Sequence, residues 1–120
     1  RIHRAAGNNA EYDLTVTTAN ILKLRAARGV TLANTATIVV TGQSALVFIT
    51  NNADQAALFI ASMTGTPSIV EIADPSGTYS NTQGTASSSN VYAVGINLTL
   101  ENNTGASRDY AIFVFTVDAA

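Results

Sequence analysis

The sequence predicts an all-β fold, a two-sheet antiparallel sandwich of jelly-roll type with about eight strands. Three observations carry this. Short apolar or alternating runs recur about every ten residues, separated by clusters of Gly, Pro, Asn, Asp and Ser. No segment shows a helical period long enough to cover a sheet. The last run, residues 110–117, is apolar on both sides of its pleat: Tyr110, Ile112, Val114 and Thr116 point one way, and Ala111, Phe113, Phe115 and Val117 the other. A half-buried strand leaves one of those sets polar. The second apolar face therefore needs a cover, and with no helix to supply it the expected cover is another copy of the chain.

Residues 1–10 lack a period and are expected to form a leading arm, followed by a single β-sandwich domain over 11–120. Tyr12, Leu14 and Val16 alternate with Asp13, Thr15 and Thr17, as in a half-buried strand. Residues 21–27 suit either a short helix, with Asn20 as its cap and Gly29 beyond its end, or a strand; the strand is preferred. Residues 36–41 and 45–50 flank Gly42, Gln43 and Ser44, a spacing that predicts a tight hairpin. After a turn at 51–54, residues 55–63 form a strand apolar on both faces, Leu58 and Ile60 against Ala57, Phe59 and Ala61. Thr64, Gly65, Thr66 and Pro67 end it, and 68–73 resumes the β pattern.

Residues 74–90 are the one low-complexity stretch and read as a long polar loop with a short strand at 78–81. Within it Asp74-Pro75-Ser76-Gly77 is a turn signature, because Pro pre-sets its own φ and Gly accepts a positive one. Residues 91–100 follow as one strand kinked or bulged at Gly95. The turn at 102–107 then leads into the final strand, with which 91–100 should form an antiparallel hairpin.

Composition excludes several functions. The formal charge is -2 with only six Lys and Arg, so there is no electrostatic footprint for nucleic acid. Charged residues make up 12%, about half the usual share, which leaves a neutral polar surface. Zero cysteines remove disulfides, thiol catalysis and cysteine metal sites together. No run approaches the ~18 apolar residues of a membrane span, and no membrane insertion is expected. The chain begins at Arg1 rather than Met, which points to a fragment or processed product of something longer.

Candidate chemistry is sparse. His3 stands alone, with no second histidine at metal spacing, and is read as a solvated side chain. Asp54, Asp74, Glu101, Asp109 and Asp118 lie beside turns, and nothing resembles a calcium loop or a converging catalytic pair. No enzyme activity, cofactor or metal is expected. Asn97-Leu98-Thr99 and Asn102-Asn103-Thr104 match the glycosylation acceptor pattern, which chance explains in so Asn- and Thr-rich a chain. Tyrosine faces stack on sugar rings, and Tyr79 lies in the polar loop, where a core role is least expected. Tyr79, Asp74 and Asn81 are the candidate ligand contacts; Tyr92 and Tyr110 fall within strands and read as packing residues. Phe48, Phe59, Phe113 and Phe115 are divided between core and oligomer interface, in an order the pattern leaves open.

The succession Gln55-Ala56-Ala57-Leu58-Phe59-Ile60, Ser68-Ile69-Val70-Glu71-Ile72, Ile96-Asn97-Leu98-Thr99-Leu100-Glu101-Asn102, a Gly-containing turn and Tyr110-Ala111-Ile112-Phe113-Val114-Phe115 resembles the C-terminal jelly-roll domains of bacteriophage tail fibres and tailspikes. The resemblance spans about residues 44–118 and extends to the trimeric heads of the tumour necrosis factor and complement C1q type. It implies a homotrimer at a fibre tip, packed through apolar strand faces, on the extracellular virion. Such a tip binds host cell-surface polysaccharide, stabilises the trimer, or both. The alternative is a capsid decoration or other virion structural protein without glycan binding.

Overall fold

The computed structural model describes residues 2–5, 11–14 and 22–117, and the side chains of residues 29–116. Every regular element among them is a strand. They are β1 (Ile2–Ala5), β2 (Glu11–Leu14), β3 (Leu22–Leu32), β4 (Thr37–Thr41), β5 (Ala45–Asn51), β6 (Ala56–Ser62), β7 (Ser68–Ala73), β8 (Tyr79–Ser80), β9 (Ser88–Val94), β10 (Asn97–Asn103) and β11 (Arg108–Val117). Sheet A runs β1-β2-β3-β11-β5-β6-β7, and sheet B runs β4-β10-β9-β8. All neighbours are antiparallel except β8 and β9. The molecule is thus an all-β two-sheet sandwich. Consecutive strands β3, β4 and β5 alternate between the sheets, and β10 and β11 return the same way, β11 lodging between β3 and β5 while β10 lies beside β4. This exchange between layers is the jelly-roll pattern, and β6 and β7 extend sheet A from it as a meander.

The core fills the space between the layers. Alternation along β5 sends Ala45, Val47 and Ile49 inward; along β6 it sends Ala57, Phe59 and Ala61 inward; along β11 it sends Tyr110, Ile112, Val114 and Thr116 inward. Val91, Leu98 and Leu100 face them from sheet B, fully buried. Polar ties cross the same gap. The hydroxyls of Tyr110 and Ser89 share a hydrogen bond of 2.7 Å, Asn51 Nδ2 donates to Tyr79 Oη at 3.3 Å, and Asn102 Nδ2 donates to the Leu32 carbonyl at 2.8 Å. Left unpaired, each of these buried groups would cost ~1–3 kcal/mol, so pairing them across the layers also fixes the layers' alignment.

Four local expectations are corrected. Residues 42–44 join β4 to β5 across the layers instead of forming a hairpin, since β4 pairs with β10 and β5 with β11 and β6. Three residues of chain reach about 10 Å, the usual spacing of stacked sheets, so a short linker serves a crossing as well as a turn. β10 and β11 likewise lie in different sheets and form no hairpin. The kink at Gly95 is a full reversal: Val94 pairs with Asn97 around Gly95 and Ile96, and Gly95 takes φ 60°. A two-residue turn needing positive φ at its first central position only is the type II′ turn, which lets Ile96 follow. Finally, Ser88, Ser89 and Asn90 belong to buried β9 rather than to the loop.

At the N-terminus the expected arm of residues 1–10 contains β1, whose residues pair with β2. The strand preferred over a helix for residues 21–27 is present as β3 and runs on to Leu32. Positions 15–17, expected to extend the strand at β2, lie outside the described residues.

Candidate functional site

Because residues opposite each other on neighbouring strands share a face, the register of sheet A lines up its outward side chains. Phe115 stands opposite Leu46, Leu46 opposite Ile60, and Ile60 opposite Val70. One step along, Phe113 stands opposite Phe48, Phe48 opposite Leu58, and Leu58 opposite Ala73. The result is two apolar rungs running across β11, β5, β6 and β7. Ile60 is 47% exposed, Val70 51%, Leu46 37% and Phe48 36%. The Phe48 and Phe113 rings lie 5.8 Å apart at 39°, a tilted aromatic pair at the centre of the face.

No rung position carries a charge or a hydrogen-bonding side chain. Polar groups begin at one end of the face, where Asp109 accepts from Thr31 Oγ1 at 2.6 Å and from Asn52 Nδ2 at 3.5 Å. Between the second rung and the following turn, Phe48, Ala56, Ala57, Leu58, Ala73 and Pro75 line an apolar hollow of about 220 Å³. It opens where small Ala56 and Ala73 stand beside large Phe48 and Leu58, at the point where the β6–β7 register shifts.

The opposite outer face, on sheet B, is polar and covered at one end, while Val39 and Val94 toward its other end are 46% and 53% exposed. Asn90 pairs with Glu101 and Ser88 with Asn103 on its outward side. Glu101 Oε1 accepts from the Gly84 amide at 2.9 Å and from Asn90 Nδ2 at 2.7 Å. The Thr85 carbonyl accepts from Asn90 Nδ2 at 3.0 Å and Asn103 Nδ2 at 2.9 Å. These bonds pin the loop of residues 81–87 over the sheet.

The expected ligand contacts take structural roles. Tyr79 is 5% exposed, with its ring 6.3 Å from Phe59 and its hydroxyl bonded to Asn51, so it has no open face for a sugar. This corrects the reading of Tyr79 as a loop side chain outside the core. Burial holds its phenol far above the ordinary value, and neighbouring Tyr110 adds to the shift. Asp74 organises the predicted turn: its carboxylate accepts from the Thr78 amide at 3.2 Å and the Tyr79 amide at 3.0 Å, while Gly77 takes φ 67°. The turn is what delivers Tyr79 inward. Asn81 is exposed and donates from Nδ2 to the Ile69 carbonyl at 2.9 Å, tying sheet B's edge to sheet A's edge.

The four phenylalanines now separate. Phe59 is core, fully buried, whereas Phe48, Phe113 and Phe115 stand on the outer face of sheet A. Sequence reasoning missed Leu46 and Val70 as members of that face. The signal that finds them is registry: once Phe48 is outward, Leu46 shares its face two residues away, and pairing carries the same parity to β7. Among the described residues no three His, Cys, Asp or Glu side chains cluster as a metal site requires.

Comparison with known proteins adds no relative. No family model, curated protein or solved structure matches the chain.

Proposed function

We propose that this chain is a structural self-assembly module, a homotrimeric tip domain of a tail fibre or tailspike that closes on itself through the outer face of sheet A. The observation that carries the reading is the pair of in-register apolar rungs from Phe115 to Val70 and from Phe113 to Ala73. A polar loop is a poor cover for them, because its own N–H and C=O groups would find no partners there. An apolar protein surface is the fitting cover, and three copies around one axis satisfy it in a closed ring.

Magnitude sets how strong this association is. Four strands at ~4.8 Å spacing, and two rungs that each take up two residues of strand length at ~3.4 Å per residue, give a patch of about 260 Å². Covering that area on two copies is worth about 13 kcal/mol at ~25 cal/mol per Å². Association costs on the order of 4–15 kcal/mol in lost freedom. The rungs therefore nucleate assembly, and further contacts secure it.

Stabilising the oligomer is favoured here over glycan binding, because Tyr79 lies in the core and Asp74 is engaged by its own turn. Light scattering across a dilution series tests the reading. A mass near three times 12.4 kDa is expected, and a well-behaved 12.4 kDa monomer at every concentration would overturn it.

A further inference from the structure

The two apolar rungs on β11, β5, β6 and β7, on the order of 260 Å² by strand spacing, are well short of the ~800 Å² per partner that a standard interface buries. A copy that docks there must contribute a second contact. The same chain offers one at the other end of the sandwich. Among the described residues the most exposed large apolar side chain is Ile96, at 67%, and Val94 beside it is 53% exposed. Both sit at the β9–β10 hairpin turn, so they project from the body as a knob.

That knob has no seat on its own copy. The Ile96 carbonyl lies against Gly42, 3.8 Å from where a Cβ on that glycine would stand, so the turn belongs to the end of the sandwich where β4 crosses to β5. The hollow beside Phe48, Ala56 and Ala73 opens on the far side of sheet A, toward the other end of β5. A whole sandwich separates the two.

Resting on the self-assembly reading above, we infer that Ile96 at the hairpin tip of one copy inserts into the apolar hollow of sheet A on the next. Size supports the match. A cavity of ~150 Å³ lined by aliphatic and aromatic side chains holds one benzene ring, so a hollow of about 220 Å³ accommodates a branched aliphatic side chain and part of its neighbour. Polarity supports it too, since the lining is almost wholly apolar and Ile96 brings no group that needs a partner. The hollow is continuous with the Phe48–Leu58–Ala73 rung, so the knob extends the same buried surface. Knob and hollow are different surfaces, which makes the contact head-to-tail, and a head-to-tail contact whose rotation closes gives a ring.

Two variants test this, each at an exposed position that spares the fold: Ile96→Asp removes the knob, and Ala73→Leu fills the hollow. Sedimentation equilibrium should show each alone associating about thirtyfold more weakly than wild type, the loss typical of an interface hot spot. An equimolar mixture should then give a one-to-one heterodimer, because one intact knob and one intact hollow remain. If Ile96→Asp associates as tightly as wild type while Phe115→Asp is monomeric, the knob contact is wrong and assembly through the sheet face stands. A monomeric wild type overturns both.

Discussion

On sheet B the outward residues Asn90, Glu101 and Asn103 hold a loop of the same chain in place; on sheet A the outward residues Phe115, Leu46, Ile60 and Val70 are apolar and partly open. The contrast shows how chemistry decides what can cover a strand. A loop brings backbone amides and carbonyls that need partners, and side-chain amides and a carboxylate supply them. A row of Leu, Ile, Val and Phe supplies none, so it suits another apolar surface. The loop-covered end of sheet B is closed by folding, and the rungs of sheet A are suited to closure by assembly.

The largest effects should fall on phenylalanines that face opposite ways from sheet A. Phe59→Ala removes a fully buried ring and should cost about 3–5 kcal/mol of monomer stability, read as a lowered denaturation midpoint. Phe115→Asp should behave differently: the monomer keeps its native circular dichroism, and the assembled mass falls to 12.4 kDa. If Phe115→Asp unfolds the chain as Phe59→Ala destabilises it, the two faces are not distinct. On sheet B, Glu101→Ala frees the Gly84 amide and one bond of Asn90, which should cost about 1–3 kcal/mol while leaving the oligomer mass unchanged. A change of mass there would place the loop-covered end of sheet B in the interface as well.

Much of the fold was legible because it is local. A strand within residues 21–27, the turn at Asp74-Pro75-Ser76-Gly77 and the two-faced strands at 55–63 and 110–117 all follow from nearby residue types, whereas the continuation of the first through Gly29 to Leu32 does not. What stayed hidden depends on distant partners. Residues 42–44 suit a hairpin or a crossing equally, and only the pairing of β4 with β10 decides between them. In β11 the larger side chains, Phe113 and Phe115, face outward while Ile112 and Val114 fill the core, so size and hydropathy together point the wrong way. Ser88, Ser89 and Asn90 look like loop, yet the bonds of Ser89 to Tyr110 and of Asn90 to Glu101 allow them to be buried. The candidate site was half visible: two apolar faces per strand could be counted, but which one stayed outside could not.

A smaller effect concerns the tyrosines that tie the two layers. Burial raises the phenols of Tyr79 and Tyr110 above the ordinary value of 10.0, so the folded state keeps their protons longer than the unfolded chain does. Stability should hold below pH 10 and fall as pH rises through and above it, because the unfolded state ionises first. Tyr79→Phe should flatten that alkaline fall. It should also lower stability at neutral pH slightly, by about 1 kcal/mol for the lost bond from Asn51. An unchanged alkaline profile would mean that Tyr79 is not held in the core.

The smallest effect lies at the edge of sheet A, where β7 borders the turn that leads to sheet B. Glu71 is raised above the ordinary 4.5 mainly by burial, with a hydrogen bond to Asp74 and the charge of Asp74 adding. The folded state therefore binds this proton more tightly than the unfolded chain. As pH rises from about 4.5 through the raised folded value, the unfolded state loses its proton first, and stability declines across that window. Glu71→Gln cannot ionise. It should match wild type at pH 4 and exceed it in melting temperature at pH 7, by a small margin because the side chain is only half-buried. If wild type gains stability on Glu71 ionisation instead, a cation must face that carboxylate, and the apolar face of sheet A would then border a charged contact rather than end at an edge that favours the neutral acid.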